Sequence, residues 1–246
     1  MNAKEKKKEQ KPRSEDSDAG AADLIRELGL AAPGTDFESD LQYISIIGSI
    51  EGHIALPMEN KTTKYEHLIP QLIAVEENPK LRGLLVILNT MGGDVEAGLA
   101  LAEMIATLSK PTVSLVLGGG HSIGIPLATA TDYSFIAGTA TMTLHPIRTT
   151  GLVITAETTF DYMRKTQDRV IDFIAGHSRA TRKRVTELMN CSDNMSNDVG
   201  TILFGKEAVD AGIIDAVGGV SQALGELRRR VAKVDELKKE ISISTD

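Results

Sequence analysis

Leu84-Leu85-Val86-Ile87-Leu88-Asn89-Thr90-Met91-Gly92-Gly93-Asp94-Val95 is the stretch from which the fold can be read. Five aliphatic residues without alternation mark a strand buried on both faces, as in a parallel sheet covered by helices. The run ends in a polar turn with two glycines. Val95 to Leu108 then has a helical period, and Lys110-Pro111 stops it.

Working outward, the same grammar repeats. Upstream lie a strand at Tyr43 to Ile47 and a helix at Tyr65 to Glu77. Downstream come a strand at Thr112 to Leu117, a Gly118-Gly119-Gly120 turn and a helix at Ser122 to Thr131. Strands at Tyr133 to Ile136 and Thr141 to Leu144 follow, then helices at Ala156 to Ala175 and Arg182 to Met189. Ala208 to Val217 holds a short helix and Ile213-Ile214. Leu224, Leu227, Val231, Val234, Leu237 and Ile241 then recur at three- and four-residue spacing, an amphipathic helix whose stripe packs on its own domain or on a neighbouring subunit. Strands alternating with helices predict an α/β fold.

The charged segment before this pattern has little to bury. Residues 1–20 are expected to be a disordered tail, in which Glu5 and Glu9 interrupt the Lys6-Lys7-Lys8 cluster. A short helix at Ala22 to Leu28 is expected before the Ala32-Pro33-Gly34 break in the domain, read as residues 21–220, with a C-terminal helix and tail at 221–246.

Composition narrows the function. The 246 residues are 41% hydrophobic and 25% charged, enough for a sizeable core. Lys+Arg 27 against Asp+Glu 34 leaves a net charge of -7, which argues against nucleic acid as a partner. A single cysteine, Cys191, forms no intrachain disulfide and is read as a buried thiol; without a Cys/His cluster at ligand spacing no metal or other cofactor is expected. No apolar run approaches the ~20 residues of a membrane span, and the N-terminal basic run leads into no secretory core. The expectation is a cytoplasmic protein with no integral membrane segment.

Two glycine-rich turns, Asn89 to Asp94 and Gly118 to Gly124, each follow a strand and open a helix, where free backbone N–H groups favour a polarised or anionic oxygen. Neither is GxxxxGK[ST], and Gly118, Gly120 and Gly124 are out of register for GxGxxG, so a nucleotide site has little support. Ser122 lies at the second junction, as the serine of a nucleophile elbow does, although a serine there also suits an N-cap. A nucleophilic serine needs a base. His145, at a strand end before Pro146, is the best placed of the five histidines. His121 should point away from its neighbour Ser122, and His53, His67 and His177 read as surface residues. A carboxylate to hold the imidazole is sought between Cys191 and Gly200, with Asp198 the first candidate and Asp193 the second. The N–H groups of Gly93 and Ile123 are the candidate oxyanion hole.

These residues resemble the proteolytic subunit of the Clp protease (ClpP), a serine peptidase family of the crotonase-like superfamily. Asn89-Thr90-Met91-Gly92-Gly93 running into Ala97-Gly98-Leu99 is similar to that family's Asn-Ser-Pro-Gly-Gly segment. His121-Ser122-Ile123-Gly124, Leu144-His145-Pro146 and Glu207 to Asp215 resemble its serine, histidine and closing segments, in order over residues 43 to 220. Within the family the chain is similar to the translocation-enhancing branch of spore-forming Gram-positive bacteria.

The resemblance implies a repeated β-β-α spiral with a protruding handle helix, here Ala156 to Ala175. It implies rings, in ClpP two stacked heptamers around a proteolytic chamber, and peptide or unfolded-protein substrates cut by Ser122, His145 and Asp198. Docking of an unfoldase ATPase does not carry over, because the charged N-terminal tail does not match the family's axial loops. Other departures are Pro146-Ile147 after the histidine in place of Gln-Pro, about two extra residues between Asp198 and Gly212, and an added loop at His53 to Tyr65.

Three other readings compete with the peptidase. An acyl-CoA hydratase or isomerase would use the same amide pair and need acids nearby, where only Asp94 and Glu96 stand, both suited to a helix N-terminus. A ring or scaffold aiding export would need no chemistry. A Ser/Lys dyad would call on Lys165.

Overall fold

The computed structural model describes residues 39–148, 155–192 and 199–244. The chain-order elements among them are β1 (Leu41–Glu51), β2 (Thr62–Lys64), α1 (Tyr65–Glu77), β3 (Gly83–Gly93), α2 (Val95–Ala106), β4 (Thr112–Gly120) and α3 (Gly124–Thr129). They continue with β5 (Tyr133–Ile136), β6 (Thr141–Leu144), α4 (Ala156–Gly176), α5 (Arg182–Met189), β7 (Thr201–Phe204), α6 (Gly205–Asp210), β8 (Ala216–Val217) and α7 (Val220–Ser244).

The parallel sheet expected from the apolar runs is present, in the order β2-β1-β3-β4-β5-β8. β6 branches off β4 through Gly119 and Thr141, and pairs antiparallel with β7. Leu84, Val86 and Leu88 of β3 enter one core with α1 to α6, containing Leu72, Leu101, Ile105 and Leu127. Leu85 faces the other way, with Leu41, Val113, Leu115 and Phe135 beneath Ala223, Leu227 and Val231 of α7. A strand buried on both faces cannot alternate, hence the unbroken apolar run.

The C-terminal stripe therefore packs on its own domain through Leu227 and Val231, while Leu237 is left exposed. α4 is divided in the same way along its length. Val170, Ile171, Phe173 and Ile174 are buried, whereas Phe160 and Tyr162 in its first half are 68% and 63% exposed.

The strands run further than their aliphatic stretches. β3 continues through Gly93 and β4 through Gly120 because each still has a register partner, Ile50 and Thr90 respectively. Both ladders slip there, between Gly48 and Ser49 and between Leu88 and Thr90. The helix expected at Ser122 to Thr131 is shorter, Gly124–Thr129, because Ser122 leaves the right-handed region with φ 55°. The tail, the helix at Ala22 to Leu28 and both candidate acids, Asp193 and Asp198, lie outside the described residues.

Candidate active site

The first turn is made where β3 hands over to α2. Asp94 donates its N–H to the Ile50 carbonyl at 2.9 Å, and its side chain caps α2 by accepting from Ala97 N–H at 2.8 Å. Successive amides of an extended segment point to opposite sides, so the Gly93 N–H faces away from β1. Only glycine fits at 93: its φ is 152°, and a Cβ would stand 2.2 Å from the Ile50 carbonyl oxygen.

The second turn carries Ser122. Among the described residues it is the one non-glycine with positive φ, a left-handed conformation that costs about 1–3 kcal/mol and persists only where its surroundings impose it. Those surroundings are specific. Ser122 N–H donates to Thr143 O at 2.9 Å, its carbonyl accepts Ile125 N–H at 3.0 Å, and Gly124 N–H closes back on His121 O at 2.9 Å. A Cβ at Gly92 would lie 2.7 Å from the Ser122 Cβ, so the paired glycines leave the serine its place. The N-cap of α3 is Ile123, without a side-chain cap bond, so the serine hydroxyl is not spent on capping.

His145 stands half-buried just beyond β6, with Nδ1 at 2.7 Å from the Pro146 carbonyl. A carbonyl only accepts, so Nδ1 carries a proton, which in the neutral ring leaves the lone pair on Nε2, the tautomer required of a base. Ser122, His145, Gly93 and Ile123 line one cavity of about 140 Å³. Its remaining wall is largely apolar, from Val95, Ile125, Leu144, Ile147, Val170, Ile174 and Met189, with Arg148. No hydrogen bond joins Ser122 to His145 among the described residues, a separation common in sites without substrate. His121 is held by Thr143 Oγ1 at 2.9 Å through Nδ1, and burial, reinforced by the nearby His145 charge, lowers its pKa from 6.5.

The competing acids have other work. Asp94 is the α2 cap, and Glu96 forms a two-pronged pair with Arg169 at 2.6 and 3.0 Å. The hydrogen bond from Arg169 holds the Glu96 carboxyl below 4.5. Lys165 is exposed on α4 and does not line the cavity. His53 meets Tyr65 edge-on, His177 stacks on Phe173, Cys191 is half-buried, and among the described residues no cluster could hold a metal ion. No described helix is long and apolar enough to cross a membrane.

Sequence reading missed several supporting residues. Gly98 of α2 brings that helix against Ile123, where a Cβ would lie 2.4 Å from the Ile123 side chain. Gly200, with φ 143°, brings the chain before β7 against His145; a Cβ there would stand 2.3 Å from Leu144 O and 3.0 Å from the His145 Cβ. The small residue itself was the signal, but its partner lies too far along the chain to be named.

Comparison with known proteins agrees with this architecture. The Clp protease family model matches residues 39–221. The chain is 53% identical over 222 residues to the translocation-enhancing protein TepA of Halalkalibacterium halodurans, covering 90% of this chain and 87% of that protein. The solved structure of a ClpP1 mutant from Listeria monocytogenes matches with a TM-score of 0.60 at 19% identity, over 74% of this chain and 94% of the other, and shows a ClpP/crotonase-like fold. The chain belongs to the Clp protease family.

Proposed function

We propose that this protein is a ClpP-type serine endopeptidase that hydrolyses peptides or unfolded protein chains through an acyl-enzyme. Ser122 Oγ attacks the scissile carbonyl while His145 Nε2 takes its proton, and Asp198 holds the imidazole by accepting the Nδ1–H in place of the Pro146 carbonyl. The developing oxyanion receives hydrogen bonds from Gly93 N–H and Ile123 N–H, donors whose individual loss typically costs about 3–4 kcal/mol of barrier. His145 then protonates the departing amine, and a water deprotonated by the same Nε2 releases the acyl group. The apolar cavity wall would hold a substrate side chain beside the bond being cut.

The single observation that carries this reading is the left-handed Ser122, uncapping and uncapped, lining one cavity with Gly93 and His145. The protein would act in the cytoplasm as a homo-oligomeric ring or double ring, with the exposed first half of α4 meeting another ring. The relative's name supports a link to preprotein translocation.

The test is covalent labelling with a fluorophosphonate and mapping of the adduct. Stoichiometric modification of Ser122, absent in Ser122→Ala and slowed in His145→Ala, is the expected result. Failure of the assembled protein to react, or an adduct elsewhere, overturns the peptidase reading. Asp198→Asn should slow labelling strongly, whereas an unchanged rate would remove Asp198 from the mechanism. A second reading, a chamber that holds chains without cutting them, draws on the His145 Nδ1 bond to Pro146 O, because a carbonyl supports an imidazolium less than a carboxylate does.

A further inference from the structure

Thr90 is a polar side chain in the middle of the sheet, 2% exposed, at the point where the β1–β3 and β3–β4 ladders both slip. Its register partners are Gly48 on one side and Gly120 on the other. Its hydroxyl donates to the Gly48 carbonyl at 2.6 Å and accepts the Gly92 N–H at 3.0 Å, so both capacities of one oxygen are used. Its own carbonyl accepts the His121 N–H at 3.1 Å, immediately before Ser122. Its methyl group, Cγ2, would be 2.7 Å from a Cβ on Gly124, immediately after Ile123. One residue therefore touches both glycine turns, which are otherwise parts of different βα units.

We infer that Thr90 is a positioning residue of the candidate active site: its hydroxyl fixes the Gly92-Gly93 turn, while its carbonyl holds the Ser122 turn in register with it. The consequence is that the Gly93 and Ile123 amides converge on a single oxygen. This inference rests on the serine peptidase reading. The chemistry explains the residue type. Gly48 and Gly92 both have positive φ, 80° and 93°, and the slipped ladders leave the Gly48 carbonyl and Gly92 N–H to be joined by a side chain. A hydroxyl can accept from one and donate to the other; valine has the same shape and can do neither. A donor displaced by an ångström no longer meets the oxyanion, whereas substrate binding, which depends on the apolar wall, is left in place.

The experiment compares full-length wild type, Thr90→Val and Thr90→Ser by their reaction with the fluorophosphonate, separating the maximal inactivation rate from the half-saturating concentration, with thermal melting and oligomer size measured beside it. Thr90→Val is expected to react on the order of 10- to 100-fold more slowly at saturation with an unchanged half-saturating concentration. Thr90→Ser, which keeps the hydroxyl, should recover most of the rate. If Thr90→Val does not assemble, Thr90→Ala carries the same comparison.

An assembled hydroxyl-free variant that reacts at the wild-type rate, or a serine variant as slow as the hydroxyl-free one, overturns the inference while the peptidase reading stands. So does a lowered melting temperature with no change in rate, which would make Thr90 structural only. A wild-type protein that never labels overturns the peptidase reading and the inference with it.

Discussion

Ser122 and His145, which line one cavity, could be proposed from the sequence because their types and positions carry the information: a hydroxyl and an imidazole, each at the end of a strand in a parallel α/β pattern. The glycine pair at 92 and 93 was legible for the same reason. Thr90, Gly98 and Gly200 were not, because their roles depend on partners elsewhere in the chain, Gly48, Ile123 and His145 among them. Gly200 makes the point testable. An added methyl would meet the Leu144 carbonyl, which is backbone and cannot swing aside, so Gly200→Ala should displace His145. A fall in Ser122 labelling of at least tenfold is expected, by analogy with other ångström-scale misplacements, alongside a lower melting temperature. His121 supplies a pH test. Its folded pKa lies below 6.5, chiefly through burial, so on acidification the unfolded chain takes up its proton first. Its contribution is fully present above 6.5 and is lost as pH falls from there through the lowered folded value. Urea midpoints at pH 7.5 and 5.5 should differ less in His121→Gln than in wild type. The lowered carboxyls of Glu76, Glu96 and Glu226 act further down, below 4.5.

At the scale of elements, α1 and α5 have the bounds their periodicity suggests, Tyr65–Glu77 and Arg182–Met189. β2 and β8, at three and two residues, are too short to show a period and exist through pairing with β1 and β5. The glycine-rich ends of β3 and β4 escaped reading because neighbouring strands, not β propensity, keep them extended. The join between α2 and α4 was invisible for another reason, since it depends on Glu96 and Arg169 meeting across the fold. Their side chains are 46% and 51% exposed, so solvent screening limits the pair despite its good geometry. Glu96→Gln should cost less than about 1 kcal/mol in urea unfolding, and the difference from wild type should shrink in high salt. A much larger loss would mean that the pair governs how α4 is seated over the cavity.

For the whole molecule, the α/β class followed from the alternation of apolar runs, and the family from the order of its motifs. The candidate triad acid did not become visible, since Asp193 and Asp198 lie outside the described residues. Assembly is tested at this scale through α4. Phe160 and Tyr162 remain exposed on a helix whose second half packs on the core through Val170, Ile171, Phe173 and Ile174, and a contact with another subunit would cover them. The double substitution Phe160→Ser with Tyr162→Ser should leave urea stability of the single chain nearly unchanged while shifting sedimentation toward smaller species. An unchanged sedimentation profile would take this half of α4 out of the assembly interface.

On the proposed mechanism, the backbone at Ser122 also sets a trade between catalysis and durability. A residue held at φ 55° carries a penalty that glycine escapes, while glycine gives up some of that advantage by loosening the unfolded chain. The balance favours glycine by roughly 0.5–1 kcal/mol, about 1–4 °C for a domain of this size. Ser122→Gly should therefore outlast Ser122→Ala on heating, both being dead toward the fluorophosphonate. Retaining a side chain at this position would then mean selection for reactivity at the expense of heat resistance.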